Sequence, residues 1–506
     1  MKIIRHSHLI LASALVLITS CSSGKQIKNN FDWGNLPLQP NLSWADSVGS
    51  RRQITTKNVI SANEFGAVND SNIISTEAIQ LAIDSCAAEG GGKVVFTPGY
   101  YQTGALFIKS GVNLQIDEGV TLIGSSDINN YPEIKTRIAG IEMVWPSAVI
   151  NIIGQKNASF SGKGTLDCKG RVFWEKYWKM RKNYDTRGLR WIVDYDCKRV
   201  RGILIQESSD ITLSDFKLKR SGFWACQILY SNFCTVNGIS INNNIGGHGP
   251  STDGIDIDSS RNILIENSLI DCNDDNICIK SGRDADGLRV NKPTENVVIR
   301  NCTALKGAGL VTCGSETSGG IRNVLAYDLK ARATTAVLRL KSAMNRGGTV
   351  ENIYMTRVVA DSTQQVLAAD LNWNPSYSYS KLPASYKGKN IPPHWTAMLT
   401  PVEPQGKGYP HFRNVYFSHI NATNSDEFIS VSGWNDSLRI ENFYLCHINA
   451  EALKGGIIKF TRNFNLSDVK LKTKDGNKIY LKNNVQDNIH CDYISMPTNH
   501  RLSGNK

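Results

Sequence analysis

No two of the twelve cysteines in this chain are spaced as a CxxC pair, which argues against a zinc site. They do not divide evenly either. Cys21 belongs to a leader described below, and the eleven others leave one thiol over in any full set of disulfides. Most sit in strand-like runs (Cys226, Cys234, Cys278, Cys302, Cys446), where a small apolar thiol packs inside. Disulfides between neighbouring turns of the chain stay open. Past the first twenty residues no apolar run is long enough for a membrane-spanning helix. A β-sandwich would need antiparallel hairpins joined by tight two-residue turns. Negative charge is in short supply. The formal balance is +12, or +10 once Lys2 and Arg5 leave with a signal sequence. Such a balance raises encounter rates with polyanions, although a solvated basic surface would give the same count.

What is present begins with export. Lys2 and Arg5 precede an apolar stretch, Leu9 to Thr19, too short to anchor a mature protein in a bilayer. Ile18-Thr19-Ser20-Cys21 then resembles a bacterial lipobox, with Cys21 as the residue to be lipidated. An ordinary secretory signal with an incidental cysteine is the plainer alternative. No acidic run follows Cys21, so both the periplasmic face and the cell surface stay open. In an exported protein the polyanion need not be nucleic acid; an acidic polysaccharide or an anionic surface would do, and membrane contact is expected only through the lipid.

At 506 residues the chain exceeds what one compact core normally holds. It needs either several domains or one elongated repeat fold. Self-similarity favours the second. Short alternating strands start at Asp210, Phe233, Asn262, Asn296, Asn323 and Asn352, at intervals of 23, 29, 34, 27 and 29 residues, and another starts at Asn414. Strand-length runs broken by Gly, Asn and Asp, without a helical period between them, fit one coil of a parallel β-helix per repeat. Ser75 to Ala88 reads as an amphipathic helix stopped by Gly90-Gly91-Gly92, suited to capping the open end of a solenoid. The expected organisation is therefore a signal and lipobox over 1–21, a tether and leader over 22–57, an all-β parallel β-helix over 58–470 and a tail over 471–506. Two segments interrupt the pattern, Phe173 to Trp191 and Asn372 to Pro410, both rich in aromatics. Such loops on a rigid scaffold often wall a binding site, and as often merely pack over its side.

The chemistry gathers around Asp271-Cys272-Asn273-Asp274-Asp275-Asn276, which sets two carboxylates side by side before the strand Ile277–Lys280. Residues one coil apart stack at about 4.8 Å. Asp253 precedes Asp275 by 22 residues, as Ile257 precedes Ile279, so Asp253 should neighbour the pair. In Val337-Leu338-Arg339-Leu340-Lys341 the alternation sends Arg339 and Lys341 to one face. On a regular strand Asp274 and Asp275 would point apart, so a bend is expected where both reach a cleft. Clustered carboxylates push their pKa values apart, which provides the acid and the base of glycoside hydrolysis. Substitutes in an asparagine ladder or a calcium site are the bland alternatives. A calcium site would not call for Arg339 and Lys341 nearby, and no metal or other cofactor is expected.

Over residues 60–450 the sequence resembles glycoside hydrolase family 28, the polygalacturonases. The resemblance rests on Phe65-Gly66-Ala67-Val68-Asn69-Asp70, Gly104-Ala105-Leu106, Ser251-Thr252-Asp253 for the family's Asn-Thr-Asp, Asp274-Asp275, and Arg339-Leu340-Lys341 for its Arg-Ile-Lys. It implies a right-handed parallel β-helix acting as a monomer. It also implies an inverting mechanism with Asp274 as general acid, Asp253 and Asp275 activating water, and Arg339 and Lys341 holding a uronate carboxylate. The family's Gly-His-Gly departs: Gly307-Ala308-Gly309 stands in its place, so Ala308 replaces the histidine. A literal Gly247-His248-Gly249 falls one coil too early and reads as turn residues. That departure points away from plain polygalacturonan, toward a variant pectin such as rhamnogalacturonan or short oligomers. The leading expectation is hydrolysis of an acidic plant cell-wall polysaccharide at a galacturonic acid linkage, with the two aromatic loops favouring chain ends. A polysaccharide lyase on the same scaffold and an inactive pectin-binding lipoprotein are the rivals. Products separate them: an ultraviolet-absorbing double bond, reducing sugar only, or neither.

Overall fold

The computed structural model of the chain describes residues 31–36, 39–474 and 476–495. The signal features and the lipidation residue Cys21 lie outside the described residues. Thirty-two strands belong to one sheet joined by parallel pairing, and two more, Glu133–Ile138 and Ile141–Pro146, form an antiparallel hairpin beside it. Following one column of the register shows the winding. Ile203 pairs with Cys226, then Ile255, Ile277, Val311 and Leu338 in turn, each one coil further along the chain. This is the expected right-handed parallel β-helix.

The repeat starts explain themselves once the corners are seen. Asp210, Phe233, Asn262, Asn296, Asn323, Asn352 and Asn414 all turn the chain with φ between 55° and 58°. A side chain costs roughly 1–2 kcal/mol in that left-handed region, and Asn and Asp bear it best because a short polar side chain can bond locally. The asparagines then bond to one another along the axis. Asn296 Nδ2 donates to Asn262 Oδ1 at 3.1 Å, Asn323 to Asn296 at 3.0 Å, Asn352 to Asn323 at 3.3 Å and Asn414 to Asn352 at 3.2 Å. Inside the corners the apolar positions of every coil, among them Ile257, Ile263, Ile279, Val297 and Ile299, are wholly buried in one continuous column.

The helix Thr76–Ala88 buries Ile79, Ala82, Ile83 and Cys86. Its Gln80 side chain closes the exposed edge by accepting from Phe107 N at 2.8 Å and donating to Phe107 O at 3.0 Å. Of the stretch 22–57, read from sequence as tether and leader, residues 31–36 and 39–57 are described and lie along the flank of the solenoid. Trp33, Leu42 and Ala45 are buried against Val298, Leu325, Tyr327 and Tyr354. Further on, Gly49 N donates to Asn262 O at 3.0 Å, and Arg51 pairs with Asp210 at 2.8 Å while lying over the Phe233 ring. At the other end, strand pairing continues past residue 470 through Thr461–Thr473, Tyr480–Lys482 and Asn488–Ser495.

The asparagine corner gives the first prediction. Asn323→Val puts a β-branched residue at φ 57° and removes two ladder bonds. It should destabilise by about 2–4 kcal/mol, whereas Asn323→Gly, which tolerates the angle, should cost about half as much. Denaturant midpoints of the two variants check this, and equal losses would contradict it.

Candidate active site

The strands Ile255–Asp258, Ile277–Lys280, Gly309–Cys313 and Ala336–Lys341 lie side by side in register. Because strand side chains alternate, their isoleucines, Val311 and Leu338 face the core while Asp256, Cys278, Thr312 and Arg339 form a row on the outer face. That polar face is nevertheless closed off from water, since Asp256, Asp258, Lys280 and Lys341 are all buried. Three insertions roof it: the hairpin Glu133–Pro146, the helices Arg171–Thr186 and Val193–Asp196, and the segment from Pro375 to Leu399. Trp145, Trp191, Tyr195, Trp224, Trp395 and Met398 bind the three into a second apolar cluster. Buried ion pairs and hydrogen bonds pin them down. Arg137 of the hairpin meets Asp258 at 3.0 Å, and Arg283 donates to Tyr195 Oη at 2.9 Å and to Tyr377 O at 2.8 Å.

The structure brings Asp253, Asp274, Asp275 and Lys341 to one pocket, with Lys280, Glu316, Trp224 and Trp373 also in its wall. Asp274 and Asp275 stand on a bend before Ile277, where Asp275 N donates to Asp274 Oδ1 at 2.9 Å. Asp275 is the best-held carboxylate of the set. Its Oδ1 accepts from Gly309 N at 3.0 Å and Thr312 Oγ1 at 2.8 Å, and its Oδ2 accepts from Lys341 Nζ at 2.7 Å. Burial alone would raise this carboxyl, but Lys341, then Arg339 and Lys280, overcome it and hold it well below the usual carboxylate range. Its neighbours go the other way. Burial and then the charge of Asp275 raise Asp274. Burial, Asp274 and Asp256 raise Asp253 well above its ordinary value. One carboxylate kept ionised beside two kept toward the neutral form is a division of labour suited to acid–base chemistry.

Arg339 approaches Asp275 only at 3.5 Å and is the more exposed of the two expected cations. It also lies over the Trp373 ring at 5.5 Å. Lys341 is committed to Asp275 in this state and sits 4.4 Å from the same ring. Oxygen or sulfur atoms of Asp253, Asp275 and Cys278 converge within 4.8 Å. They fit a cation poorly, because both Asp275 oxygens already serve Lys341, Thr312 and Gly309.

Sequence reasoning missed Lys280, Glu316 and Asp256. Lys280 Nζ lies 3.1 Å from Glu316, 3.6 Å from Asp256 and 3.8 Å from Asp253, over the Trp224 ring at 5.0 Å. Glu316 is brought down to about 2, because Lys280 and Arg346 outweigh its burial. Asp256 is the residue before Ile257 in the alternating run that located Asp253, so the signal was on the page. Glu316 follows a turn one coil away and carried no such mark. The Gly307-Ala308-Gly309 turn cradles the aspartate pair through its backbone, Ala308 N donating to Asp274 O at 2.8 Å. His248 is exposed, stacked on Trp178 at 5.3 Å, with Nδ1 2.9 Å from Asn273 Oδ1.

Comparison with known proteins gives the family. The family model described as glycosyl hydrolases family 28 matches residues 98–381. A protein named probable polygalacturonase from Vitis vinifera is 29% identical over 307 residues, 58% of this chain and 58% of that one. An exo-poly-alpha-D-galacturonosidase from Dickeya chrysanthemi is 26% identical over 374 residues, 65% of this chain and 60% of that one. The chain thus spans about three fifths of the length of these curated relatives. In fold it is similar to a hyperthermoactive exopolygalacturonase from Thermotoga maritima, with a TM-score of 0.66 at 22% identity over 88% of this chain and 94% of that one.

The raised carboxyl of Asp274 has a consequence for stability. Its folded-state value lies above the unfolded one of about 3.9, so the native chain holds this proton the more tightly. The resulting stability is complete below the unfolded value and is lost as pH climbs through the raised folded value. Asp274→Asn should therefore melt higher than the parent at pH 7 and no higher near pH 3. A gain that persists unchanged at pH 3 would refute the assignment.

Proposed function

Because this chain belongs to glycosyl hydrolases family 28, we propose that it hydrolyses an α-linked galacturonic acid bond of a pectic polysaccharide, with inversion and from chain ends. The observation that carries the reading is the split ionisation of Asp253, Asp274 and Asp275 beside Arg339 and Lys341. The names of the polygalacturonase relatives support the substrate class.

In this reading Asp274 arrives protonated and delivers its proton to the leaving glycosidic oxygen. Asp275 holds the negative charge that orients and activates a water on the opposite face of the sugar. Asp253, within 4.8 Å of Asp275, enters the reaction as carboxylate, and its raised pKa makes it the stronger base of the two, the one that takes the proton the water gives up. As the glycosidic bond breaks and the hydroxyl of water joins the anomeric carbon, Asp274 becomes ionised and Asp253 becomes protonated, so charge is conserved across the site. Arg339, with donors to spare beyond its long contact to Asp275, takes the uronate carboxylate, and Trp373 offers its face to the sugar ring. In this reading the roof formed by the three insertions would block one end of the cleft, as exo action requires. Ala308 contributes a methyl group where an imidazole would add a titrating group, so screening on polygalacturonan, rhamnogalacturonan and their oligomers identifies the aglycone. The export signal and lipidation at Cys21 would put this activity in a bacterial envelope, at the periplasmic face or the cell surface.

Two outcomes test the roles. Asp274→Asn should cut turnover on a natural linkage by roughly a hundred- to ten-thousand-fold and recover much of it on an aryl galacturonide with a good leaving group. Asp275→Asn should lose turnover on both. Rescue of both variants alike, or near-normal turnover of Asp274→Asn on the natural linkage, would refute the division. Separately, Arg339→Ala should raise KM for a uronate substrate about ten- to a hundredfold, the loss of a charged hydrogen bond. It should leave binding of the methyl-esterified substrate unchanged, and a variant that discriminates the two as the parent does would overturn the role.

A further inference from the structure

A second cluster of chemistry lies far along the solenoid from the aspartates, where the N-terminal segment meets the late coils. One corner of successive coils is occupied by Asp328, Arg357, His419, His447 and Asp468, each with φ between 50° and 56°. The residues that follow them pair in order, Leu329 with Val358, then Ile420, Ile448 and Val469. His419-Ile420-Asn421-Ala422 therefore repeats as His447-Ile448-Asn449-Ala450 one coil on, and the two imidazoles stand 4.7 Å apart between ring centres. Asp32 of the N-terminal segment reaches across to them.

The details are those of a ligand set rather than of an ordinary hydrogen-bonded corner. His447 Nδ1 lies 2.6 Å from Asp468 Oδ2. Donation to that carboxylate fixes the tautomer and leaves the Nε2 lone pair pointing away. Nε2 is buried without a hydrogen-bond partner, yet lies 3.3 Å from Asp32 Oδ2. The other Asp32 oxygen is held by Gly34 N at 2.8 Å, and Ser418 Oγ holds the Asp32 main-chain oxygen at 3.0 Å. One donor atom from each of Asp32, His419 and His447 lies within 4.8 Å of the others.

We propose that Asp32, His419 and His447 bind one divalent transition-metal ion of the zinc class, which fastens the N-terminal segment to the flank of the solenoid. Ligands at about 2.0–2.1 Å in a tetrahedron stand roughly 3.3 Å apart, the separation that Asp32 Oδ2 and His447 Nε2 already have. Two imidazoles and one carboxylate suit zinc better than calcium, which wants an oxygen cage, and the fourth position falls to water. Asp468 is a positioning residue, acting through the imidazole it orients. The absence of CxxC pairs speaks against a zinc site built on paired thiolates and says nothing of one built from a corner column.

The test titrates zinc chloride, and in parallel calcium chloride, into the protein purified without a polyhistidine tag. Calorimetry and metal analysis should give one zinc equivalent, no calcium uptake, and a melting temperature raised by zinc. His419→Asn and His447→Asn, chosen because asparagine accepts the left-handed corner, should each weaken zinc binding at least tenfold and lose the melting shift. Asp468→Asn should weaken it about 10–100-fold. Asp32→Asn, on the segment rather than the solenoid, supplies the same test should a corner variant fail to fold. No zinc uptake would leave these residues a hydrogen-bonded corner and overturn the proposal. So would zinc binding that survives unchanged in the variants, which would place the ion at Asp253, Asp275 and Cys278 instead. Neither outcome depends on whether the chain hydrolyses a glycan.

Discussion

Each coil of this solenoid donates its backbone hydrogen bonds to the next, in a register that admits no slip, because a shift by one residue would turn every isoleucine outward and every outer-face polar residue inward. Coil spacing of about 4.8 Å then becomes a ruler for chemistry. It sets Asp253 beside Asp275, Asp256 beside Cys278 and Thr312 beside Arg339. The carboxylates cannot move apart to relieve their repulsion. They relieve it through protons instead, with Lys341 deciding which one stays ionised.

The same ruler made much of the molecule legible in advance. Asn262, Asn296, Asn323 and Asn352 mark coils in the sequence because few other residues tolerate a left-handed corner and none ladders as well. The 22-residue offset from Asp253 to Asp275 was readable because Ile257 and Ile279 share it. The alternation in Val337–Lys341 was enough to aim Arg339 and Lys341 outward. These are local or one-coil relations, which periodicity carries.

Relations set by the insertions were not legible. Nothing periodic says that Trp145, Trp191 and Trp395, from three separate segments, pack into one cluster, or that Tyr377 reaches Glu316. Burial of that polar face, and with it the upward shift of Asp253 and Asp274, depends on this roof. The packing of residues 31–36 and 39–57 escaped for a related reason. A segment without strand or helix period reads as a tether, although Trp33, Leu42 and Ala45 find a groove between coils that are distant in sequence. The strands beyond residue 470 are polar and short, so their pattern fades before their pairing does.

That flanking segment changes the kind of object the solenoid is. A stack of coils that touch only their neighbours behaves as a one-dimensional array, in which ends fray and partial structures survive without the rest. Here one stretch of chain touches the coil of His447 through Asp32, those of Tyr354 and Leu325 through Trp33 and Leu42, that of Asn262 through Gly49 and that of Asp210 through Arg51. A terminal coil cannot peel away at that flank without loosening contacts many coils distant. The segment acts like a cord drawn down a stack of rings, converting a series of independent melting steps into a shared one.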